Sequence, residues 1–589
     1  MGLFEELKRR NVLRMAGLYL VGAWLLVQVA TTVLPLFGVA GWVLRALIVV
    51  LAIGFVPALI FSWVFELTPQ GLKRDDDVAP EQSIAPQVAR RMDRTIIVVL
   101  VVALGYFALD KFVLAPRHEA TSVPPESQGT SIAVLPLAND SGDQDQQYFS
   151  DGLSEDLITA LSQFQGLKVI GRSSSFQFRG SKDDSRTIGA KLGVSHLIEG
   201  SVRRAGDTVR ISAQLVKAAD GSTLWSQRYD RPYKDLFALQ DEISQAVSVA
   251  LKTRLLSSDK AGGLSERPPS GNLEAYDAYL RANFHYARRT EADIRKGLEL
   301  FEEAARLDPD YAQSWATAAR AWISLGLNFL EGEAARDAFA RARQAADTAL
   351  RLAPELPVGH VARGYVLQTV DFDWRGMEAE NRRAAELAPG ASITTFALGL
   401  MTATLGHPEQ ALTQVETALE GDPLHASWLV WRGSLLASLG RLDEADASIR
   451  KAIELQPTAA SYHEQLAVVA ILRGDASAAL AAAEAEPPGK WRDVGIALAR
   501  QIGPDRAAAD AALESLIRRH AGHAAFQIAK AHALRGDPDR ALEWLGRAYS
   551  QRDPGIPDLS WDPIIQRLRA DPRFVAFLEK VGLPAPAGR

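Results

Sequence analysis

The second half of the chain repeats itself every 34 residues. Small residues and prolines keep this interval: Gly399, Gly433 and Ala467; Ala411, Ala445 and Ala479; and Pro389, Pro423 and Pro457. A unit of this length is a pair of helices, in which small residues mark the closest approach and proline marks the end. One pair cannot bury its apolar face alone, so neighbouring pairs must stack. The period therefore predicts an extended all-α array in this half of the chain.

Two units show the pattern most fully: FALGLMTATLGHPEQALTQVETALEGDP at 396–423 and WRGSLLASLGRLDEADASIRKAIELQP at 431–457. Each reads as a helix, a Leu-Gly turn, a second helix and a proline, and in this it resembles the tetratricopeptide repeat family. Weaker units on both sides predict about eight helical pairs between Tyr276 and Pro554, which the resemblance implies to be wound as a right-handed superhelix. The array is expected at 274–556, and the tail at 557–589, which departs from the repeat, is expected to cap it.

Apolar residues crowd the first 115 positions. Three runs, at about 15–36, 42–65 and 95–115, are each long enough to cross about 30 Å of hydrocarbon at about 1.5 Å per residue. We therefore predict a membrane anchor of three transmembrane helices over residues 1–115. Only 14 residues precede the first run, so we expect no catalytic or DNA-binding domain in front of the anchor.

Basic residues give the anchor an orientation. They cluster before the first run and between the second and third: Lys8, Arg9, Arg10 and Arg14, then Lys73, Arg74, Arg90, Arg91 and Arg94. Segments rich in Lys and Arg stay in the cytoplasm. With three crossings, the sequence predicts a bacterial inner-membrane protein with a cytoplasmic N-terminus, whose residues after about 116 are periplasmic.

A second type of pattern lies between the anchor and the repeats. Residues 116–130 are polar with three prolines and indicate a linker. From 131 to 258, short β-branched runs and amphipathic stretches follow the order β-α-β-α-β-β-β-α, with turns at AGD and ADG between the last three strands. This order predicts a mixed sheet covered by helices. A further linker at 259–273 leads into the array.

This region resembles a known envelope module. The segments SIAVLPLANDSGDQDQQYFSDGLSEDLITALSQFQGLKVIGRSSSF and LIEGSVRRAGDTVRISAQLVKAADGSTLWSQRYDRPYKDLFALQDEI are similar to the TolB-like domain of proteobacterial proteins, which is related to FlgO and CsgG-type domains. The resemblance implies an α/β domain without catalytic residues. The complete fold class is therefore multidomain: transmembrane helices, a TolB-like α/β domain with a mixed sheet, and an all-α tetratricopeptide superhelix.

One stretch in the α/β region could carry catalysis. It contains the acids Asp151, Glu155 and Asp156 and a serine run at 173–175. A nucleophilic serine needs a base and a group that orients it, and the elbow pattern G-x-S-x-G is broken because GRSSS ends in serine. Acids at the start of a helix favour the positive end of its dipole, which explains them without any chemistry. We therefore expect a capped helix here and no enzyme activity, with the serine run and Arg172 in a loop where a partner could dock.

Composition and missing motifs argue against several classes of protein. The chain has no cysteine, which removes disulfides and thiolate sites, and its net charge of −6 with a pI near 6.0 argues against a nucleic-acid binder. Neither a Walker loop nor a dinucleotide-binding glycine motif is present, and the ten histidines lack recognisable ligand spacing. We expect no cofactor and no metal.

An array of this kind exposes a concave groove, which would bind a protein or peptide partner. Repeat geometry directs first-helix positions toward the groove, and the candidate partner-binding residues are Tyr365, Gln368, Thr369, Phe396, Leu400, Thr404, Ser434 and Ser438. Ordinary packing between helices is the alternative for each. The family's carboxylate clamp of Lys, Arg and Asn is not visible at these positions.

Two functions follow from these features. The first is a non-enzymatic, membrane-anchored periplasmic scaffold that binds protein or peptide partners through the groove and the TolB-like domain. The second is an envelope signalling sensor that relays binding outside to a cytoplasmic cyclase or kinase through residues 66–94. A homo-oligomer is compatible with either function.

Overall fold

The computed structural model describes residues 130–251 and 266–584, the short strand at 254–255 and several short stretches between 16 and 74. The chain divides into two compact units, Met1–Gln128 and Gly129–Arg589. The predicted linker at 116–130 falls almost entirely outside the described residues, as does the first part of the predicted linker at 259–273, up to residue 265.

In the first unit the described residues include helical segments within 16–27 and 50–57. These two segments touch, because the Tyr19 hydroxyl donates a hydrogen bond of 2.8 Å to the Leu51 carbonyl and the Tyr19 and Phe55 rings lie 5.5 Å apart. Two strands, β1 (Phe65–Thr68) and β2 (Gly71–Arg74), then form an antiparallel hairpin. Among the residues that the structure describes, no helix combines the length and apolarity needed to span a bilayer. The predicted spans at 15–36, 42–65 and 95–115 lie mostly outside those residues.

The second unit begins with the predicted mixed sheet, which is confirmed. Its strands run in the order β6-β3-β7-β8-β9, and β4 also pairs with β7. Pairs β3–β6, β3–β7 and β4–β7 are parallel, whereas β7, β8 and β9 are antiparallel neighbours. The strands are β3 Ser131–Val134, β4 Ala138–Asn139, β5 Phe164–Gln165, β6 Lys168–Val169, β7 His196–Ala205, β8 Thr208–Lys217, β9 Thr223–Pro232 and β10 Arg254–Leu255; the helices are α1 Gln147–Leu161, α2 Arg172–Ser175, α3 Ser185–Leu192 and α4 Leu236–Leu251.

The residue types in this region explain its buried strand and its tight turns. Strand β3 is central and buried, which suits its apolar run, while Gly206 and Gly221 adopt positive φ in the turns before β8 and β9. Two details differ from the sequence expectation. The serine run forms the short helix α2 instead of a loop. The last amphipathic run, which predicts a helix from about Tyr233 to Leu256, forms α4 at Leu236–Leu251. After α4 the chain forms β10, which pairs with β5 as a separate two-stranded sheet.

Sixteen helices in eight antiparallel pairs occupy residues 273–551, which the structure describes without a gap. They are α5 Leu273–Tyr286, α6 Glu291–Leu307, α7 Ala312–Asn328, α8 Gly332–Leu352, α9 Pro357–Val366, α10 Trp374–Leu387, α11 Ser392–Thr404, α12 Pro408–Gly421, α13 Ala426–Ser438, α14 Leu442–Leu455, α15 Tyr462–Leu472, α16 Ala476–Ala485, α17 Lys490–Gln501, α18 Arg506–His520, α19 Ala525–Arg535 and α20 Pro538–Gln551. A last helix, α21 (Pro572–Val581), belongs to the tail.

The small residues that keep the 34-residue interval lie where paired helices meet. Ala411, Ala445 and Ala479 have no exposed surface. Opposite Ala445, a Cβ added at Gly433 would lie 3.1 Å from the Ala445 carbonyl oxygen and 2.5 Å from Ile449 Cγ1. Only hydrogen fits between the backbones at this contact. The period in the sequence therefore marks the positions that set the distance between α13 and α14.

The sheet region and the first repeats share one continuous hydrophobic core, which contains Ile198, Leu239, Tyr276, Phe301 and Leu325. Helix α1 packs directly on α5, since a Cβ at Gly152 would come within 2.4 Å of Leu280 Cδ1. Buried polar groups also cross the boundary. The Gln240 side-chain amide donates to Asp156 at 2.6 Å and to the Tyr276 hydroxyl at 3.0 Å. The α/β region and the array are thus one packed body, and not two domains joined only by a linker.

The far end of the array returns to its third helix pair. The Trp374 indole N–H donates to the Val581 carbonyl at 2.9 Å, across 207 residues of sequence. Beside it, the Phe372 ring stacks on Tyr549 with centroids 6.1 Å apart. The Arg552 guanidinium donates to the Asp371 carbonyl at 2.8 Å. The tail and the last helix of the array therefore both contact the third helix pair, and the capping role of the tail stays a prediction.

The close approach at Gly433 gives a prediction. We expect Gly433→Ala to destabilise the chain by about 1–3 kcal/mol, because the added methyl forces α13 and α14 apart. A matched control is Gly546→Ala in α20, where an added Cβ meets no atom within 4 Å. That change should be neutral or stabilise the helix by about 0.5–1 kcal/mol. Chemical denaturation of the full chain in detergent measures both, and equal effects of the two substitutions would contradict the packing argument.

Candidate partner-binding site on the inner face of the array

The first helices of the pairs enclose a cavity of about 360 Å³. Its wall is built from α7, α9, α11, α13, α15, α17 and α19, and a segment of the tail at 553–563 completes it. First helices form the inner face of a stacked array, so one surface receives side chains from seven successive pairs. The cavity lies on the inner face, where the repeat pattern predicts a concave groove.

Five of the eight candidate residues line this cavity. Tyr365, Gln368 and Thr369 come from α9 and the turn after it, Leu400 from α11 and Ser434 from α13. The turn at Leu367–Asp371 is a π-helical turn, and such turns are frequent at functional sites. Ser434 donates to the Gln465 side-chain oxygen at 2.9 Å. Three neighbouring helix pairs therefore contribute adjacent polar and apolar groups to one wall.

The other three candidates lie outside the cavity wall. Phe396 is buried and stacks on Trp428 with ring centroids 4.8 Å apart, so it packs between α11 and α13. Thr404 is buried and accepts a hydrogen bond of 2.7 Å from Gln368. Ser438 donates to the Leu435 carbonyl of its own helix at 2.8 Å. Each of the three serves packing or helix geometry.

The tail forms a wall that the repeat pattern did not predict. Trp561 lies against Trp431 of α13, with ring centroids 5.7 Å apart, and both residues line the cavity. The groove is therefore closed here by the chain itself, whereas the repeat pattern predicts an open groove along the array. The signal for this was present in the tail sequence SWDP, because a tryptophan outside the repeat must find an apolar partner surface.

Buried charges occupy the end of the cavity next to the tail. The Lys530 ammonium lies 3.0 Å from an Asp562 carboxylate oxygen. Two more carboxyls lie in the same part of the wall, where burial raises the pKa of Glu464 to about 7 and that of Asp558 to about 8. Lys530 lowers both of those pKa values, but less than burial raises them. Near neutral pH these two groups hold protons that a bound cation would displace.

A second cavity, of about 690 Å³, lies between the sheet region and the array. Its wall includes the stretch that raised the question of catalysis. Asp151 pairs with Arg179 at 2.6 Å and Glu155 with Arg172 at 3.0 Å. Asp151 and Glu155 are therefore each paired with an arginine.

The serine run binds the repeat array of the same chain. The Ser174 backbone N–H donates to an Asp422 carboxylate oxygen at 2.7 Å, and the Ser174 hydroxyl donates to the same oxygen. That hydroxyl also accepts from the Leu424 N–H at 2.7 Å. Gly171 N–H donates to the Gly421 carbonyl at 2.7 Å. The expected docking loop is thus occupied by the turn between α12 and α13.

His425 also lines this second cavity, but it does not serve as a base for the serine run. Its ring stacks on Trp428 with centroids 4.1 Å apart, and burial, with Arg289 and Arg320 nearby, lowers its pKa to about 3. In the described part of the chain no hydrogen bond joins His425 to a hydroxyl of residues 173–175. The arrangement lacks the linked nucleophile and base that acyl transfer requires.

Comparison with known proteins bears on both regions. A family model described as tetratricopeptide repeat matches residues 396–460. These residues are tetratricopeptide repeats. A model described as HilA/YgeH-like transcriptional regulator, second domain, matches residues 127–246. The sheet region therefore matches this model, and its TolB-like character stays a prediction.

Among curated proteins, the chain is similar to "Putative adenylate cyclase 3" of Rhizobium meliloti (strain 1021), with 38% identity over 205 residues. The match covers 34% of this chain and 34% of that protein, so the chain spans about a third of its relative's length. Among solved structures, the chain is similar to TTC0263, a thermophilic TPR protein of Thermus thermophilus, with 21% identity and a TM-score of 0.28. That match covers 33% of this chain and 99% of TTC0263. The APC/C hetero-tetramer Cut9-Hcn1 matches with 14% identity, 49% and 55% coverage and a TM-score of 0.36.

The contact between Ser174 and Asp422 predicts a pH dependence. Burial raises the pKa of Asp422 to about 6, although donors from Ser174 and Ser173 favour the charged form. This value lies above the usual aspartate pKa of about 3.9, so the folded chain binds a proton more tightly than the unfolded chain. The contribution of Asp422 to stability is therefore complete below about pH 4 and is lost as the pH rises through about 6.

We expect the wild type to gain stability over Asp422→Asn as the pH falls from 7 to 4, because asparagine keeps an acceptor oxygen but cannot take up the proton. Asp422→Ala removes the acceptor and should cost about 1–3 kcal/mol at pH 7. Thermal unfolding of the three full-length proteins across this range measures both effects. Parallel pH profiles for the wild type and Asp422→Asn would contradict the assignment.

Proposed function

We propose that the protein is a non-enzymatic adaptor that binds an extended segment of a partner protein in the inner cavity of its tetratricopeptide array. The observation that carries this proposal is the convergence of seven first helices and the tail on one partly open cavity. At about 360 Å³ the space suits a few side chains of an extended segment and excludes a folded domain. The partner therefore has to present a flexible terminus or loop.

The wall chemistry favours a segment with aromatic or aliphatic and basic side chains. Trp431, Trp561 and Tyr365 supply large apolar faces. Glu464 and Asp558 supply carboxyls that burial holds partly protonated near neutral pH. A lysine or arginine of the bound segment would favour their ionised forms, and each ion pair so formed is shielded from water.

Anchoring in the inner membrane, with the array in the periplasm, forms part of the same proposal. Its support is the three apolar runs and the distribution of Lys and Arg around them. The contact of Tyr19 with Leu51 and Phe55 is compatible with two packed helices in the first unit. The TolB-like resemblance of the sheet region points to the cell envelope as well. In this role the protein holds its partner close to the membrane surface.

A second candidate function is that of an envelope sensor. It is favoured by the 38% identity with a putative adenylate cyclase over a third of each chain and by the match to a domain of transcriptional regulators. In this case occupancy of the cavity would act on a separate cytoplasmic protein through residues 66–94. Cross-linking from that segment to a cytosolic cyclase or kinase would favour the sensor, whereas cross-links to envelope proteins alone favour the adaptor.

Peptide selection tests the binding site. Peptides selected from a random display library on the full chain should carry a basic residue, and Ser434→Trp should weaken their binding at least about tenfold by filling the cavity. A tryptophan at Thr413, an exposed residue of α12, is the matched control and should leave binding unchanged. Fluorescence anisotropy should show tighter binding at pH 8.5 than at pH 6, because Glu464 and Asp558 ionise in that interval. Peptides that bind Ser434→Trp as well as the wild type would place the site elsewhere.

Topology is tested separately. Alkaline phosphatase fused after Leu256 should be active in a Gram-negative host, because the enzyme folds only after export, and protease added to intact spheroplasts should remove the array. The expected result follows from three crossings with both basic segments inside. Protection of the array until the cells are lysed would contradict the periplasmic location and leave the peptide result unaffected.

A further inference from the structure

Three potential metal ligands meet at a junction between distant repeats. Glu331 lies in the connection from α7 to α8, while His520 ends α18 and His523 follows it. One ligand atom from each lies within 4.8 Å of the others. In detail, His523 Nε2 is 2.7 Å from Glu331 Oε2, and His520 Nδ1 is 3.2 Å from Glu331 Oε1 and 3.3 Å from His523 Nε2.

These separations suit a cation with tetrahedral coordination. Zinc binds histidine nitrogen at about 2.0–2.1 Å, which puts two ligands of a tetrahedron about 3.3–3.4 Å apart. The two imidazole nitrogens already stand at that distance. The carboxylate lies close to both nitrogens, so a small rotation of the Glu331 side chain brings one oxygen to the third corner. The fourth corner is open to solvent, since 39% of the Glu331 side chain is exposed.

A fourth residue, Asp493, orients the His520 ring. His520 Nε2 lies 2.8 Å from an Asp493 carboxylate oxygen, which is an ideal acceptor for the Nε2 proton. A neutral His520 that donates there presents the lone pair of Nδ1 to Glu331 and His523. This carboxylate–histidine arrangement is the one found behind metal-bound histidines, where it fixes the tautomer. Both ring nitrogens of His520 face carboxylates, Glu331 at Nδ1 and Asp493 at Nε2, and a neutral imidazole has one N–H to share between them.

Two positive groups stand near the cluster and each has another partner, although Lys490 also acts electrostatically on Glu331 and His523. Arg519 pairs with Asp493 at 2.7 Å, and the Lys490 ammonium donates to the Leu327 carbonyl at 2.9 Å. His520 is buried and the His523 side chain is 18% exposed, so both rings are held by packing while one side of the cluster stays reachable from solvent. The ligand atoms thus stand near their binding positions before any ion arrives, which limits the cost of ordering them.

We propose that Glu331, His520 and His523 bind one divalent late first-row transition-metal ion, with Zn²⁺ as the best match. Two imidazoles and one carboxylate select such ions over Mg²⁺ and Ca²⁺, which prefer oxygen ligands. The ligands come from the second and seventh helix pairs and are 189 residues apart for Glu331 and His520. The ion would act as a staple across the array, and it would hold closed the inner face on which the cavity lies.

Metal binding to the full-length protein in detergent, after treatment with a chelator, tests the proposal. Titration calorimetry should give one Zn²⁺ per chain, and Zn²⁺ should raise the unfolding temperature where Mg²⁺ does not. Co²⁺ should give the visible absorption of a tetrahedral complex. Glu331→Gln, which keeps the size of the side chain, and His523→Asn should each weaken Zn²⁺ binding at least about tenfold. His463→Asn removes a histidine of α15 and should change nothing.

Two results would overturn the proposal. One is Zn²⁺ binding that Glu331→Gln and His523→Asn leave intact, which would assign the ion to another site. The other is no Zn²⁺ binding by a folded wild type, which would identify the cluster as a hydrogen-bonded junction between repeats. Neither result bears on peptide selection, so this inference and the proposed function can fail independently.

Discussion

The structure depends on how closely two helix backbones can approach within each repeat. At Gly433 the gap to α14 admits a hydrogen and no methyl group, and the in-phase alanines Ala411, Ala445 and Ala479 are fully buried at the equivalent contacts. Where this short contact repeats, neighbouring pairs have similar cores and stack in a similar way. The curvature of the inner face therefore follows from a few small side chains, and the larger residues around them supply burial.

Curvature then brings together residues that are remote in sequence. The tail reaches α10 through the bond from Trp374 to Val581, and α17 reaches α7 through the bond from Lys490 to the Leu327 carbonyl. The sheet region contacts the array twice, at α5 through the shared core and at the turn after α12 through Asp422. Of these contacts, the bond between Lys490 and Leu327 belongs to the wall of the inner cavity, which also includes Trp561 of the tail. The shape of the cavity therefore depends partly on a segment that carries no repeat signal.

Periodicity explains which features were predictable from the sequence. The helix pairs, the mixed sheet and the five of eight candidate residues that line the cavity follow from local patterns, since a repeat phase or a strand alternation decides which way a side chain points. Phe396 and Thr404 obey the same phase but lie between neighbouring first helices, where packing takes priority over exposure. The serine run has no such pattern. Its role depends on Asp422, which lies 248 residues away, and neither segment alone indicates the other.

Contacts between distant segments also explain the ionisable groups to which we assign binding roles. The local sequence around Glu464 and Asp558 does not mark them as buried, and their raised pKa values arise from burial where the tail meets the inner face of the array. The histidines at 520 and 523 are two among ten, and their spacing gains meaning only when Glu331 arrives from another repeat. In a stacked array the backbone is specified by local repeats, while function is specified by contacts between repeats. An interaction that tightens or loosens those contacts therefore changes the inner face without changing any single repeat.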